Sequence, residues 1–582
     1  KGKKEEDKIK LGFIQSPQCF YNPDLFQFNL FSEARIPNEQ DYFYRDIQVA
    51  RTKTNSVIYG GSNTIISREA LEAVGGFYTE AITEDFATGL LIQKKGFVTL
   101  GIGKPLASGM SPTDLPNLIQ QRIRWARGVI AVGRQMHIYT AKDLSFGQKM
   151  NYWASIWYWY APIKRLIYIL SPIVYAAFGY MVFKCTLPQV LVFWLPMFLS
   201  SNISLRMMSG NIRSTKWTGV YETTMFPYLL IPVLMETFGI TLKKFKVTKK
   251  ADQSGKKQNN TVYMLPFILL IILSIIGIVR CVLVMFDSSS FGPVVVVFWM
   301  VLNLFYMVMA LLFVDGRIPY RSSERVPLSV ECRAVIDGIE RIGHTRDVSE
   351  GGISVEFDRP YYLEEGAVVP LSLGWDRYHA ELEVRLVFVS QRGNEWNYSF
   401  QIESYGDTYD DWLQIIYDRV PPLPEQIKKD SGAFDDLKIN TKKRMETPFF
   451  QKRQYPRILL DTEVEWVHGV TSSPVHITDF NYLYASLPIV GGPVSGTLRL
   501  IDGVEFRCSF ESVGRNKNSL YRLYGIEKVI QNKEAYERLL NWLAEKNRIA
   551  MGREKEIFRE QMEREKEQER ERNRIFNEVD LV

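Results

Sequence analysis

Four stretches of the chain are too apolar for a soluble core. Leu166–Phe183 (LIYILSPIVYAAFGYMVF), Val262–Val279 and Phe291–Val314 each have about the length that crosses hydrocarbon. Leu187–Ile203 is shorter and carries Gln189, Ser200, Ser201 and Asn202; it is counted as a fourth span. Tyr221–Ile240 is also apolar, but Glu222, Pro227, Pro232 and Glu236 are costly in lipid unless they face protein, so it reads as an interfacial helix. Lys164 and Arg165 precede the first span, Arg206, Arg213 and Lys216 follow the second, and Lys243–Lys257 is densely basic, which marks these loops as cytoplasmic. An even number of spans puts residues 1–150 and 317–582 on that same side.

Beyond Val314 the period changes to two. In AELEVRLVFV, Glu381, Glu383 and Arg385 alternate with Leu382, Val384 and Leu386, the pattern of a half-buried strand. A soluble β domain is expected over 317–420, and a linker over 421–452, where PPLPEQ and KKDSGAFDD occur. A second β-like stretch covers 453–530, and a solvated helix dense in Glu, Lys and Arg covers 531–582.

At 582 residues the chain must hold several modules. Its 71 Lys and Arg against 65 Asp and Glu leave a net charge of only +6, too balanced for a nucleic-acid partner. The five cysteines (Cys19, Cys185, Cys281, Cys332, Cys508) are far apart and form no CxxC pair, so neither a zinc site nor a disulfide framework is indicated. The opening KGKKEEDKIK has no apolar core and is no signal peptide; it reads as a truncated or internal start.

Two motifs before the first span carry chemistry. Thr83-Glu84-Asp85 follows a Gly-rich turn and precedes an amphipathic helical pattern, where an acidic pair is also favoured by the helix dipole. Gln121-Arg122-Ile123-Arg124-Trp125 then joins an amide, guanidinium groups and an indole within about two helical turns. A carboxylate can take a proton from an acceptor hydroxyl, an arginine can offset charge on a departing diphosphate, and a tryptophan can stack on a sugar face.

In this order, TED and QxxRW resemble the processive family 2 glycosyltransferases, and bacterial cellulose synthase catalytic subunits in particular. Gln15-Ser16-Pro17 is similar to that family's QTP region, and Tyr59-Gly60-Gly61-Ser62 stands where its FFCGS acceptor motif belongs, with Gly60 in place of Cys. Phe245-Lys246-Val247-Thr248-Lys249-Lys250 matches its FxVTxK gating loop. The resemblance implies that 1–150 is the C-terminal part of an α/β GT-A domain and 151–316 a transmembrane channel with interfacial helices. It implies Asp85 as general base with Thr83 and Glu84 beside it, and Gln121, Arg124, Trp125 and the Tyr59–Ser62 turn on the acceptor and diphosphate side. Phe245, Val247, Thr248 and Lys250 would form the gate. UDP-glucose, a nascent glucan, membrane lipid and accessory subunits are the implied partners, and the bacterial inner membrane the implied location. The family's Mg2+ is held by DDG and DxD aspartates upstream of QTP; Asp7, Asp24, Asp41 and Asp46, the only aspartates before Thr83, form no such pattern. The nucleotide-binding half is therefore expected on sequence absent from this stretch, and no metal ligand is assigned in it.

Arg321-Ser322-Ser323-Glu324-Arg325 and Asp347-Val348-Ser349-Glu350-Gly351-Gly352 resemble the RxxxR and [D/N]xSxxG signature of PilZ β-barrels, which bind cyclic-di-GMP. Arg321, Arg325, Asp347, Ser349 and Gly352 are then the ligand residues. Arginine planes stack on guanine and pair with phosphate, Asp and Ser bond guanine edges, and Gly permits close approach. By the same resemblance Arg321 would tether the gating loop, with Asp114 as candidate partner, and the ligand would release it. Arg453-Gln454-Tyr455-Pro456-Arg457 and Asp479–Tyr484 echo the signature with Asn for Ser and Tyr for Gly, so 453–530 reads as a degenerate PilZ-like domain. The implied function is cyclic-di-GMP-activated synthesis of cellulose. The alternatives are another β-glucan or exopolysaccharide made on the same scaffold, and a non-catalytic membrane receptor for the dinucleotide.

Overall fold

The computed structural model describes residues 10–180, 186–240, 259–288, 293–319, 323–364, 366–427, 431–446, 455–468, 470–488, 493–513 and 518–579. They divide into two compact units: residues 1–322 with 419–447, and residues 323–418 with 448–582.

The first unit begins with strands β1 (Leu11–Gln15), β2 (Gln18–Phe20), β3 (Thr64–Ile66), β4 (Val98–Gly101) and β5 (Ala107–Gly109). β1 lies between antiparallel β3 and parallel β4, while β2 pairs in parallel with β5. Against them pack helices α1 (Glu84–Lys94) and α2 (Leu115–Gln135), with Phe86, Leu90, Leu118, Ala126 and Val129 in a shared core. Asp114 caps α2 by accepting from Asn117 N–H at 2.8 Å, which explains where that helix starts. Helix α3 (Phe146–Tyr158) buries Tyr152 and Ile156 inward and exposes Phe146, Met150, Trp153 and Trp157, an aromatic face at helical spacing.

Among the described residues, four helices are long and apolar enough to cross a membrane: Ala161–Phe178, Val190–Met208, Thr261–Asp287 and Pro293–Asp315. This is the set read from the sequence. Gly277 brings the third against the first and fourth: a Cβ there would lie 2.5 Å from Met300 Cε and 2.9 Å from Ala176 Cβ. The apolar segment with glutamates is the helix Thr215–Thr237, and both carboxylates face protein cations. Glu222 pairs with Lys164 and Arg165, and fully buried Glu236 pairs with Arg127 and Arg134, each at 3.1 Å.

The stretch expected to be a linker departs from that expectation. Residues 419–447 belong to the first unit and contain the helix Ala433–Met445. Its Asp436 is completely buried and paired with Arg35 and Lys216, both at 2.6 Å. Arg444 donates to the carbonyls of Leu312, Gly316 and Asn29, two of them at the free C-terminal end of the Pro293–Asp315 helix.

The second unit holds two barrels. In the first, the strands are β6 (Val326–Pro327), β7 (Glu331–Ile336), β8 (Ile339–Ser349), β9 (Gly352–Phe357), β10 (Val368–Trp375), β11 (Tyr378–Arg392) and β12 (Glu395–Ser404). They pair in the order β6-β8-β7-β10-β11-β12-β9, and β8 also pairs with β9, which closes the ring. As the alternation predicts, Ala380, Leu382, Val384 and Leu386 of β11 point inward, while Glu381, Glu383 and Val387 are exposed. The second is a closed barrel of six strands, β13 (Ile458–His468), β14 (Thr471–Phe480), β15 (Tyr484–Leu487), β16 (Ser495–Ile501), β17 (Val504–Val513) and β18 (Ser519–Tyr524). The tail helix Lys533–Val579 buries Ala535, Tyr536, Leu539, Leu540 and Leu543 in the barrels' common core before becoming solvent-exposed.

Removing the buried carboxylate of the 433–445 helix strands two cations. Asp436→Ala should cost about 3 to 5 kcal/mol of local stability. Limited trypsin digestion should then cut faster at Lys438 and Lys442; unchanged cleavage would contradict the buried pairing.

Candidate functional site

The sequence-predicted catalytic residues are assembled around the first turn of α1. Gln15, at the end of β1 and fully buried, organises the Tyr59–Ser62 turn: its amide donates to the carbonyl of Ser62 at 2.9 Å, and its Oε1 accepts from Gly60 N–H at 2.8 Å and Thr64 O–H at 2.6 Å. The QSP segment thus fixes Tyr59–Ser62. Gly61 has φ +80°, and a Cβ there would stand 2.7 Å from Asp85 Oδ2. Tyr59 is buried against α1, where Gly89 leaves it room: a Cβ at 89 would lie 2.8 Å from that of Tyr59.

The QRIRW helix reaches the same turn through a third glycine. A Cβ on Gly128 would meet Thr83 Cγ2 at 2.4 Å and Oγ1 at 2.6 Å, so α2 touches the TED turn only because residue 128 has no side chain. Gln121, Arg124 and Trp125 fall on one side of α2 by their spacing. Thr83 Oγ1 and Gln121 Oε1 are buried without a hydrogen-bond partner among the described residues. Buried unsatisfied acceptors are costly in a finished core and suit a site that completes itself with a ligand.

Asp85 is the group whose chemistry this environment changes most. Burial raises its carboxyl from 3.8 to about 6; the Phe86 N–H, which it accepts at 2.7 Å, opposes the rise, neighbouring Glu84 adds to it, and Arg124 opposes it. A base with that value is ionised at neutral pH yet basic enough to receive a proton.

Arg122 lies within the QRIRW motif without a role that the motif assigns to it. The structure places its guanidinium 4.5 Å over the Trp125 ring and pairs it with Glu39. Gly128, three residues after Trp125 in a helix interior, was the available signal for a close approach.

In the second unit, β6 pairs with β8 so that Pro327 sits opposite Asp347, which draws Arg325 to it: the ion pair measures 2.9 Å. Ser349 Oγ donates to Gly352 O at 3.2 Å across the turn. A Cβ on Gly352 would stand 3.0 Å from the Phe400 carbonyl, which is why glycine suits that position. Between them, the Glu350 carbonyl accepts from Tyr405 O–H at 2.8 Å and Trp412 N–H at 3.2 Å. The gating-loop residues Phe245, Val247, Thr248 and Lys250 and the expected tether Arg321 lie outside the described residues, while Asp114, its expected partner, uses its carboxylate to cap α2. Among the described residues no group of three His, Cys, Asp or Glu is placed to hold a metal ion.

Residues 6–201 match the family model for Glycosyl transferase family group 2, and residues 319–416 match that for the PilZ domain. The chain is 29% identical over 386 residues to a cellulose synthase catalytic subunit (UDP-forming) of Pseudomonas fluorescens, covering 65% of this chain and 52% of that one. It is 28% identical over 409 residues to the protein of the same description in Xanthomonas axonopodis, covering 69% and 56%. This chain spans about half the length of these curated relatives. It is also similar to the solved PilZ domain of CeSA from a cellulose-synthesising bacterium, at 22% identity over 16% of this chain and 95% of that one, with a TM-score of 0.14.

If Asp85 is the base, transfer activity should fall about tenfold per pH unit below about 6, because protonation removes the acceptor lone pair. Glu84→Gln should move that acid limb to lower pH, since the Glu84 charge helps raise Asp85. A pH–rate profile unchanged by Glu84→Gln would refute the assignment.

Proposed function

We propose that this chain, which joins a glycosyltransferase family 2 region to a PilZ domain, is the acceptor-side, channel and regulatory part of an inverting processive synthase. It polymerises glucose from UDP-glucose into a β-1,4-glucan under cyclic-di-GMP control. The observation that carries the reading is the convergence of Gly61, Asp85 and Thr83 with the Gln121–Trp125 helix on one turn. Asp85 takes the proton from the 4-hydroxyl of the chain end as that oxygen bonds to the donor's anomeric carbon, and the bond from that carbon to the diphosphate oxygen breaks. UDP carries away the electron pair. Arg124 and Gln121 face the departing diphosphate and the acceptor, and Trp125, stiffened by Arg122, offers its ring to the terminal sugar.

The four apolar helices are the route for the growing glucan across the inner membrane, with both soluble regions cytoplasmic. The exposed Phe146, Met150, Trp153 and Trp157 face supports contact of α3 with lipid headgroups. Arg325, Asp347, Ser349 and Gly352 receive cyclic-di-GMP together with Arg321, and ligand binding shifts the gating loop towards its open population.

Membranes from cells making the complete gene product should incorporate labelled glucose from UDP-glucose into polymer that cellulase digests. Cyclic-di-GMP should stimulate this. Asp85→Asn should lower synthesis by about 10²- to 10⁴-fold, whereas Arg325→Ala should abolish stimulation alone. Polymer that resists cellulase would assign a different glucan, and Asp85→Asn at wild-type rate would overturn the catalytic reading.

A further inference from the structure

The second barrel repeats the first barrel's ligand motif with one difference in what it holds. Arg457 Nε lies 3.4 Å from Asp479 Oδ1, matching the 2.9 Å pair of Arg325 with Asp347. Asn481, at the counterpart of Ser349, also closes its turn, accepting from Tyr484 N–H at 2.8 Å. Arg457 and the aspartate segment are therefore both in place.

Each segment also carries a tyrosine directed at the same short peptide of the first barrel. Tyr455, between Arg453 and Arg457, is 4% exposed; its O–H donates to the Leu363 carbonyl at 2.7 Å and accepts from the Leu363 N–H. Tyr482, between Asn481 and Tyr484, is 1% exposed and donates to the Pro360 carbonyl. Tyr362, from that peptide, stacks on Tyr455 at 5.6 Å and lies 5.3 Å from Tyr482. Its own N–H bonds to Tyr536 of the tail helix at 2.8 Å.

We infer that the second barrel's PilZ-type mouth is filled by the chain's own Pro360–Leu363 segment and takes no dinucleotide, serving instead as the fixed partner of the first barrel's ligand-site strand. The connection is short. β9 begins at Gly352, the glycine of the ligand motif, and ends at Phe357, three residues before Pro360. Paired on both edges, by β8 and β12, it is a stiff link between the ligand turn and the clasped peptide. This inference rests on the proposed cyclic-di-GMP reading of the first barrel only for the signal, not for the clasp.

The test uses the full chain in detergent micelles with cyclic-di-GMP as probe, reading binding by equilibrium dialysis and amide exchange by mass spectrometry. Arg325→Ala should lose binding, while Arg457→Ala and Asp479→Asn should leave affinity and stoichiometry unchanged within twofold. Ligand should slow exchange both at 345–363 and at 455–487 in the wild type. In Tyr455→Phe/Tyr482→Phe the second region should cease to respond, and 358–363 should exchange faster even without ligand. A drop in stoichiometry on Arg457→Ala, or a second barrel indifferent to ligand in the wild type, would overturn the inference. Failure of the wild type to bind at all would sink the ligand reading of the first barrel instead. The ligand-free arm then decides the clasp: unchanged exchange at 358–363 in the double variant would refute it.

Discussion

Three glycines set how closely the candidate catalytic segments approach one another. Around the first turn of α1, residues 61, 89 and 128 are each seated where a single methyl group would meet a neighbour at 2.4 to 2.8 Å. The acceptor turn, the TED turn and the QRIRW helix come from separate elements, and interiors pack too tightly to absorb such a group without moving one of them. The raised Asp85 carboxyl is a product of that crowding, because burial is its largest cause. Geometry and proton affinity at this site therefore share one origin, the absence of three side chains.

The second unit uses the same motif chemistry twice and to different ends. In the first barrel the residue after Ser349 is Glu350, whose carbonyl is held by Tyr405 O–H and by the Trp412 N–H of the helix Tyr409–Tyr417. In the second barrel the corresponding residue is Tyr482, which reaches out and grips a peptide carbonyl. On the inference above, a change of side chain at one turn position turns the proposed ligand mouth into a joint between the two barrels, while the arginine–aspartate pair beside it persists.

Features whose cause is local were legible in the sequence. The four spans follow from length and composition, the inward and outward faces of β11 from a period of two, and the start of α1 at Glu84 from the TED turn. Glu222 and Glu236 had to face protein, and they do, but nothing nearby in sequence named Lys164, Arg165, Arg127 or Arg134 as their partners. The same limit hid the docking of 419–447. KKDSGAFDD reads as part of a linker, and only the fold brings Arg35 and Lys216 to Asp436. Arg122 was obscured differently, because its position in the motif gave no sign that it would lie over Trp125 with Glu39 behind it.

The close approach of α2 to the TED turn is tested most directly by restoring room after taking it away. Polymer synthesis should be compared in native membranes carrying Gly128→Ala, Thr83→Ser, and both changes together. The first should lose most activity, because the new methyl displaces Thr83. The double variant should recover a large part of it, since Ser lacks the Cγ2 that lies 2.4 Å away and its hydroxyl, at 2.6 Å in Thr83, is then free to rotate off the new methyl. Wild-type activity in Gly128→Ala, or no recovery in the double variant, would contradict the claim that this contact sets the catalytic geometry.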